Sequence, residues 1–294
     1  MTRVTENMMY GAMNPSIATA KERLLTAETR AASGVSVEKP SDNPEAATRA
    51  TAMESAQTRL DAMGAVSQSA ATALNAADGA LNSMAAAVNR ASDIAIDAAN
   101  GDLNPSDRID LEAEIAALRA SLLAGSNTQF NGDYIFSGNR TDVAAFAANG
   151  TFQGDPGVRQ VEVSPGVFVS ANISGADVLA PAGGVDVLGM LQSLATDLQN
   201  NDQAAISARL GDFTKALDQI TSARSVVGAQ LNTIATADTD RAALSERFAA
   251  AHSDLVEVDT AKSYTDLVQA QQAYQATISQ ASTLLQSLGL ATRM

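Results

Sequence analysis

The stretch MESAQTRLDAMGAVSQSAATALNAADGALNSMAAAVNRASDIAIDA, Met53 to Ala98, decides the fold. Its apolar positions fall at Met53, Ala56, Leu60, Met63, Ala70, Leu74, Ala77, Leu81, Met84, Val88, Ala91, Ala95 and Ala98, and the one polar residue in the series is Ser67. The spacing alternates three and four without a slip. Side chains three and four apart share a helix face, and a strict repeat held for about six heptads is the pattern of coiled-coil packing. Small Ala residues alternate with Leu and Met, so a partner helix can approach closely.

The ends of this helix are marked. In Pro40-Ser41-Asp42-Asn43-Pro44-Glu45, Asn43 can cap the free amides, Pro44 suits the first helical position and Glu45 lies near the positive end of the dipole. Asn100-Gly101 supplies the stop. The helix spans about 57 residues, roughly 85 Å at 1.5 Å per residue. A second start follows, with Asn104 as cap and Pro105 at the first position. Leu111, Ile115, Leu118 and Leu122 then share one face up to Gly125-Ser126-Asn127.

Between about Phe130 and Gly184, alternation replaces the heptad and Gly, Pro, Val and Phe rise. Val158–Val163 and Val167–Ile173 read as strands around the turn Ser164-Pro165-Gly166, with Thr151-Phe152-Gln153 a weaker strand. Helix returns at Val187, where Val187, Leu188, Leu191, Leu194 and Leu198 form a short stripe. Ile206, Leu210, Phe213, Leu217, Ile220, Arg224, Val227, Leu231 and Ile234 resume the heptad, with a phase shift near Thr236–Asp240. The spacing predicts that this returning helix packs on the Met53–Ala98 seam. Shorter seams close the chain: Met13, Ile17, Ala20, Leu24, Ala27 and Ala31 at one end, and Leu267, Gln271, Tyr274, Ile278, Ala281, Leu285 and Leu288 at the other.

The resulting expectation is a mainly α fold: a long antiparallel coiled-coil or helical bundle built from both chain ends, with a small β-rich inserted domain. Residues 1–42 form an N-terminal coiled-coil arm and 43–129 the first half of a helical bundle. Residues 130–185 form the outward insert, 186–258 the second half of the bundle, and 259–294 the C-terminal arm. The terminal seams carry few large apolar side chains, so the arms are expected to be disordered in the monomer and to order against neighbours.

Composition narrows the function. The chain carries 33 Asp and Glu against 19 Lys and Arg, a net charge of −14, and no basic run that could track phosphates, so neither nucleic acid nor an anionic membrane surface fits as a partner. With no cysteine, disulfides and thiolate metal sites are excluded. The opening residues lack a basic n-region followed by an apolar h-region, so no cleavable signal peptide is read there.

Chemistry is sought and not found. His252 stands alone, so a two-histidine metal site cannot form, and no G-x-S-x-G elbow or glycine-rich phosphate loop occurs. Asp102–Glu112 lacks Gly at the sixth position of a calcium loop and Glu at the twelfth, and reads as helix capping. Asp238 and Asp240 could pair as carboxylates but read as a solvated turn or helix surface. The sequons at Asn139, Asn149 and Asn172 read as chance matches in an Asn-, Ser- and Thr-rich insert. No catalytic residue, cofactor or metal is assigned.

Four stretches carry a family resemblance. They are Arg3-Val4-Thr5-Glu6-Asn7-Met8-Met9-Tyr10, then Ser33-Gly34 with the Pro40–Ala47 box, then Tyr134-Ile135-Phe136-Ser137-Gly138, and finally the Gln- and Ala-rich Ser263–Leu290. Together they resemble the flagellin superfamily, and within it the hook-associated protein 3 family. The resemblance implies a structural subunit of the bacterial flagellum, exported by the type III apparatus and located outside the cell. It implies a place at the hook–filament junction, between hook-associated protein 1 and flagellin, where it would template the filament. It further implies self-association into a ring and an export chaperone. The assembly interface would lie on Met13, Ile17, Leu24, Leu267, Tyr274, Ile278, Leu285 and Leu288, and the helix-start box is Pro40, Ser41, Asp42, Asn43 and Pro44. Flagellin itself, or a type III secreted coiled-coil effector or adhesin, are the other readings.

Overall fold

The computed structural model describes residues 2–37, 39–100 and 103–291. In chain order the elements are α1 (Thr2–Ser33), α2 (Pro44–Ala99), α3 (Pro105–Ser126), β1 (Gln129–Phe130), β2 (Asp133–Tyr134), β3 (Gln160–Ser164), β4 (Val167–Ser170), α4 (Gly175–Leu179), α5 (Val187–Gln199), α6 (Gln203–Val256) and α7 (Thr260–Ala291). They form two compact units: a terminal unit of Met1–Thr58 and Ser245–Met294, and a core unit of Arg59–Leu244.

In the core unit the heptad seam becomes the buried face of α2. Leu60, Ser67, Ala70, Leu74, Ala77, Leu81, Met84, Val88, Ala91, Ala95 and Ala98 are all buried. The partner is α6, antiparallel to it. Arg224 Nε donates to Asp78 Oδ1 at 2.9 Å, and the Ser67 hydroxyl donates to Asp238 Oδ1 at 2.7 Å. On α6 the fully buried positions are Ile206, Phe213, Ile220, Val227 and Ile234 together with Ala216, Ala223 and Ala237, while Leu210, Leu217, Arg224 and Leu231 are half-buried. The stripe therefore centres between the large residues read from sequence and the alanines, because small side chains occupy the line of closest approach. α6 continues unbroken through Thr236–Asp240, where the pattern shifts phase. The Thr236 and Thr239 hydroxyls bond back to carbonyls one turn earlier.

α3 and α5 complete the bundle. Ile115 and Leu122 of α3, and Leu188, Leu191, Leu194 and Leu198 of α5, are buried against the same core. Where α3 lies beside α2, joined by Arg90–Glu114 at 2.7 Å, the buried stripe of α2 widens to take in Ala87 and Ile94. α5 is capped by Asp186, whose Oδ1 accepts from Gly189 N at 2.9 Å. Asn104 is the N-cap of α3. Its backbone is extended as a cap requires and its carbonyl accepts from Arg108 N at 3.3 Å, but its side chain makes no capping bond. Pro105 has no N–H to satisfy, so the start rests on backbone conformation alone.

Arg108 is an unforeseen core element. Only 5% exposed, its guanidinium donates to the carbonyls of Ala98 and Asn100 at 3.2 Å each and to Asn201 Oδ1. It satisfies orphan carbonyls at the C-terminal end of α2, where the helix dipole favours a cation.

The segment between α3 and α5 has less strand than expected. β3 and β4 form an antiparallel hairpin with Val161 opposite Val169, and β1 pairs with β2. β4 stops at Ser170 rather than Ile173, because the Asn172 side chain leaves the ladder to bond Gly138 O, Gly157 O and Arg159 N. Thr151-Phe152-Gln153 contributes a single bridge, Phe146 to Phe152. Tyr134–Gly138 sits at the centre: Phe136 is buried, the buried Ser137 hydroxyl donates to Val143 O at 2.6 Å, and Gly138 has φ +72°. A Cβ on Gly138 would meet Asp155 O at 1.9 Å, so only glycine fits. Phe136, Phe146, Val163, Val169, Val178 and Leu179 belong to the same buried cluster as the helices.

Candidate assembly interface

The terminal unit is built from α1, α7 and the adjoining ends of α2 and α6. α1 packs on α7. Its half-buried positions include Met13, Ile17, Ala20, Leu24, Ala27 and Ala31, the residues of the N-terminal seam. On α7 the inward face is Ser263, Leu267, Ala270, Tyr274, Thr277 and Ala281, with Ser263 and Ala281 buried. Leu267, Tyr274 and Ala281 thus face inward as the spacing indicates. Gln271 and Ile278 do not: their places are taken by Ala270 and Thr277, whose small side chains let α1 approach. The side chains of Leu285 and Leu288 lie outside the described residues.

Two polar devices hold the ends of these helices. Gly34, at φ +72°, closes α1 with its N–H on Arg30 O at 3.0 Å, the left-handed stop that glycine adopts without strain. The next residues then clip to the end of α6. Ser36 N donates to Val256 O at 2.6 Å and Val258 N donates to Gly34 O at 3.0 Å, with a bridge between Val35 and Glu257. The Asp42 carboxylate accepts from Lys39 N at 3.1 Å around the turn holding Pro40 and Ser41. Asn43 Oδ1 accepts from Ala46 N at 3.1 Å as Pro44 begins α2. All five residues of this box are exposed. α7 is capped by Asp259, whose Oδ1 accepts from Lys262 N at 3.1 Å.

The inward faces of α1 and α7 leave a second apolar set pointing outward. Leu25 is 51% exposed, Tyr264 56%, Val268 49% and Ile278 40%. On one side of the pair a groove of 1240 Å³ runs between the helices, lined by Ala20, Ala27, Ala270 and Ala273 as well as by Thr19, Arg23, Lys262, Asp266 and Gln269. His252 faces Glu54 at 3.2 Å. Among the described residues no three His, Asp or Glu side chains gather as metal ligands, and no helix is long and apolar enough to cross a membrane. Sequence reasoning missed Ser263, Ala270 and Thr277, which belong to the same three-four series half a step out of phase.

Residues 4–141 match the bacterial flagellin N-terminal helical region. Paired helices from both chain ends, an insert of short strands and that match define a flagellin-like structural protein of the bacterial flagellum. Within this class the similarity runs to flagellar hook-associated protein 3. The chain is 26% identical over 301 residues to that protein of Salmonella typhimurium, covering 93% of this chain and 94% of the relative. It is 26% identical over 315 residues to that of Escherichia coli, covering 98% of both. The solved hook-associated protein 3 of Legionella pneumophila shares the fold at 18% identity with a TM-score of 0.63, over 70% of this chain and 98% of that one.

Proposed function

We propose that this chain forms the junction between the hook and the filament, docked on hook-associated protein 1 at one end and templating the first flagellin subunits at the other. The observation that carries the reading is the outward apolar set Leu25, Tyr264, Val268 and Ile278 on a helix pair whose inner faces are already half-buried. Side chains of that size on one small unit are a surface in want of a partner, and in a tube each subunit offers one surface to a different surface of its neighbour. Met13, Ile17, Leu24, Leu267 and Tyr274 hold the pair together, while Ile278 and its outward companions meet neighbouring subunits.

The inner faces rest on Ala, Thr and a few larger residues, so an arm of this kind gains little by pairing alone. In this reading the arms order fully on docking, which keeps subunits apart before export through the type III apparatus, where a chaperone covers them, and locks them afterwards. Electron microscopy of a deletion strain tests the role. Hooks without filaments, with flagellin shed into the medium, are expected. Filament loss with flagellin absent altogether would make the chain flagellin, and unimpaired swimming would remove it from the flagellum's essential structure. Removing Ser263–Met294 is expected to leave a soluble, folded core that does not restore swimming.

A further inference from the structure

The β3–β4 hairpin of the core unit has two unlike faces. Val163 and Val169 point inward and are buried. On the opposite face Glu162 stands directly across from Phe168, which is 60% exposed, more than any other large hydrophobic among the described residues. A single exposed aromatic is ordinary. What gives this one meaning is the other side of the same hairpin. There, a cleft of 320 Å³ opens between α2 and the insert, lined by Val66, Ala73, Phe130, Tyr134 and Val161 and flanked by Arg159 and Asp133. Its volume is at the lower end of the range in which pockets hold a small ligand, and its lining is mostly apolar with one aromatic on each of β1 and β2. Val66 at its edge is 42% exposed.

Charge follows the same division. The Arg159 guanidinium is exposed and has no hydrogen bond or ion pair among the described residues, whereas Arg90, Arg209, Arg224 and Arg241 of this unit each hold a carboxylate. The Glu162 carboxylate takes one hydrogen bond, from Gly166 N at 2.9 Å. One face therefore presents a protruding ring beside an anion, and the other a largely apolar cleft whose rim carries Asp133 and a guanidinium without a partner among the described residues. The two lie on opposite faces of one hairpin, so a chain cannot satisfy its own cleft. A second copy, carrying both, can.

We propose that the Phe168 ring of one copy seats in the cleft of the next, with Glu162 facing Arg159 of that neighbouring copy. This rests on the reading above that copies self-associate in the flagellum, and it assigns their lateral contact to the core unit. The contact is heterologous, so it propagates from copy to copy and closes into a ring where the rotation permits.

The test places the photoreactive analogue p-benzoylphenylalanine at position 168 of the full chain, expressed in a strain lacking its own copy, and irradiates the assembled flagella. Isotope-mixed samples separate links between copies from links within one. The expected product joins position 168 to residues lining the cleft of another copy. Arg159→Glu is expected to lower its yield about fivefold, the size of one exposed ion pair, and Glu162→Arg in the same chain to restore it. Circular dichroism confirms that each variant keeps the parent's helix content. Links from position 168 to other surfaces, to other proteins or only within its own chain overturn the proposal, as does a charge reversal without rescue. Swimming of the parent chain reports separately on the junction reading. If swimming is restored without the cleft link, only the lateral contact is wrong. If swimming is not restored, the purified full chain irradiated at its highest soluble concentration still has to give the link, and its absence there overturns the contact.

Discussion

Leu74 and Ile17 both occupy apolar heptad positions, yet they live in different surroundings. Leu74, in the core unit, is 1% exposed and ringed by α6 and the insert. Ile17, in the terminal unit, is only half-buried on α1, the helix that packs on α7. The same repeat thus serves two ends. In the core unit a heptad face meets several layers and closes a dry interior. In the terminal unit the stripe of α1 stays half-buried, and that of α7 is mostly so. The comparison separates residues that stabilise the subunit from residues that folding leaves half-buried or exposed.

The contrast can be broken by substitution, starting with the largest effect on the free chain. Leu74→Asp buries a charge in the seam and is expected to cost about 4 kcal/mol or more, seen as a collapse of the urea midpoint. An unchanged midpoint would mean that the seam is not the core. Phe146→Ala removes a buried ring that packs edge-on to Phe152 at 5.3 Å between centroids and is expected to cost about 3–5 kcal/mol. Because the insert shares its core with the helices, helical and aromatic signals should melt together. Two separated transitions would make the insert an independent body.

In the terminal unit the order of effects inverts. Ile17→Ala is expected to destabilise the free chain by only about 1 kcal/mol, since few contacts are lost at a half-buried site, while swimming of a complemented deletion strain falls sharply. Ile278→Asp, at 40% exposure, should shift the unfolding midpoint by less than about 0.5 kcal/mol and yet abolish swimming. A variant that swims normally would take Ile278 out of the interface. The smallest effect concerns pH. Backbone N–H groups of Asn139 and Gly157 donate to the Asp155 carboxylate and hold its pKa below the ordinary carboxylate value. A lowered folded value means that the stability is present above the unfolded pKa of about 4 and is lost as pH falls through the folded one. The protection of the Asn139 and Gly157 amides, measured relative to their intrinsic exchange at each pH, should therefore fall at acid pH, and Asp155→Asn should flatten that dependence.

Much of the helical architecture was legible because periodicity reports which face is covered. The Met53–Ala98 seam, the Val187–Leu198 stripe and the Met13–Ala31 positions need only spacing to be found. Phase is harder. In α7 the series could be continued through Gln271 and Ile278 or through Ala270 and Thr277. The larger side chains argued for the first choice, whereas close approach of α1 selects the small ones. The insert was less legible still. Asn172, Gly138 and Asp155 shape it through side chain–backbone bonds that join residues far apart in the chain, and alternation alone cannot see these. Arg108 was hidden for the opposite reason: a guanidinium in a capped helix start looks solvated until the end of α2 arrives beside it.

Ser67, the one polar member of the long seam, has a mechanical consequence. Its hydroxyl and the Arg241 guanidinium both donate to Asp238 Oδ1 at 2.7 Å, and Arg241 reaches on to Val163 O at 3.0 Å. Uniform apolar seams can slide by a heptad with little penalty, since each knob finds another hole. Here a slip of one heptad would press the Asp238 carboxylate against Leu60 or Leu74 and tear the hairpin from its arginine. α2 and α6 therefore mesh in a single gear position. Within the core unit, strain along this helix pair cannot relax by creep, and load passes through it as through a keyed joint.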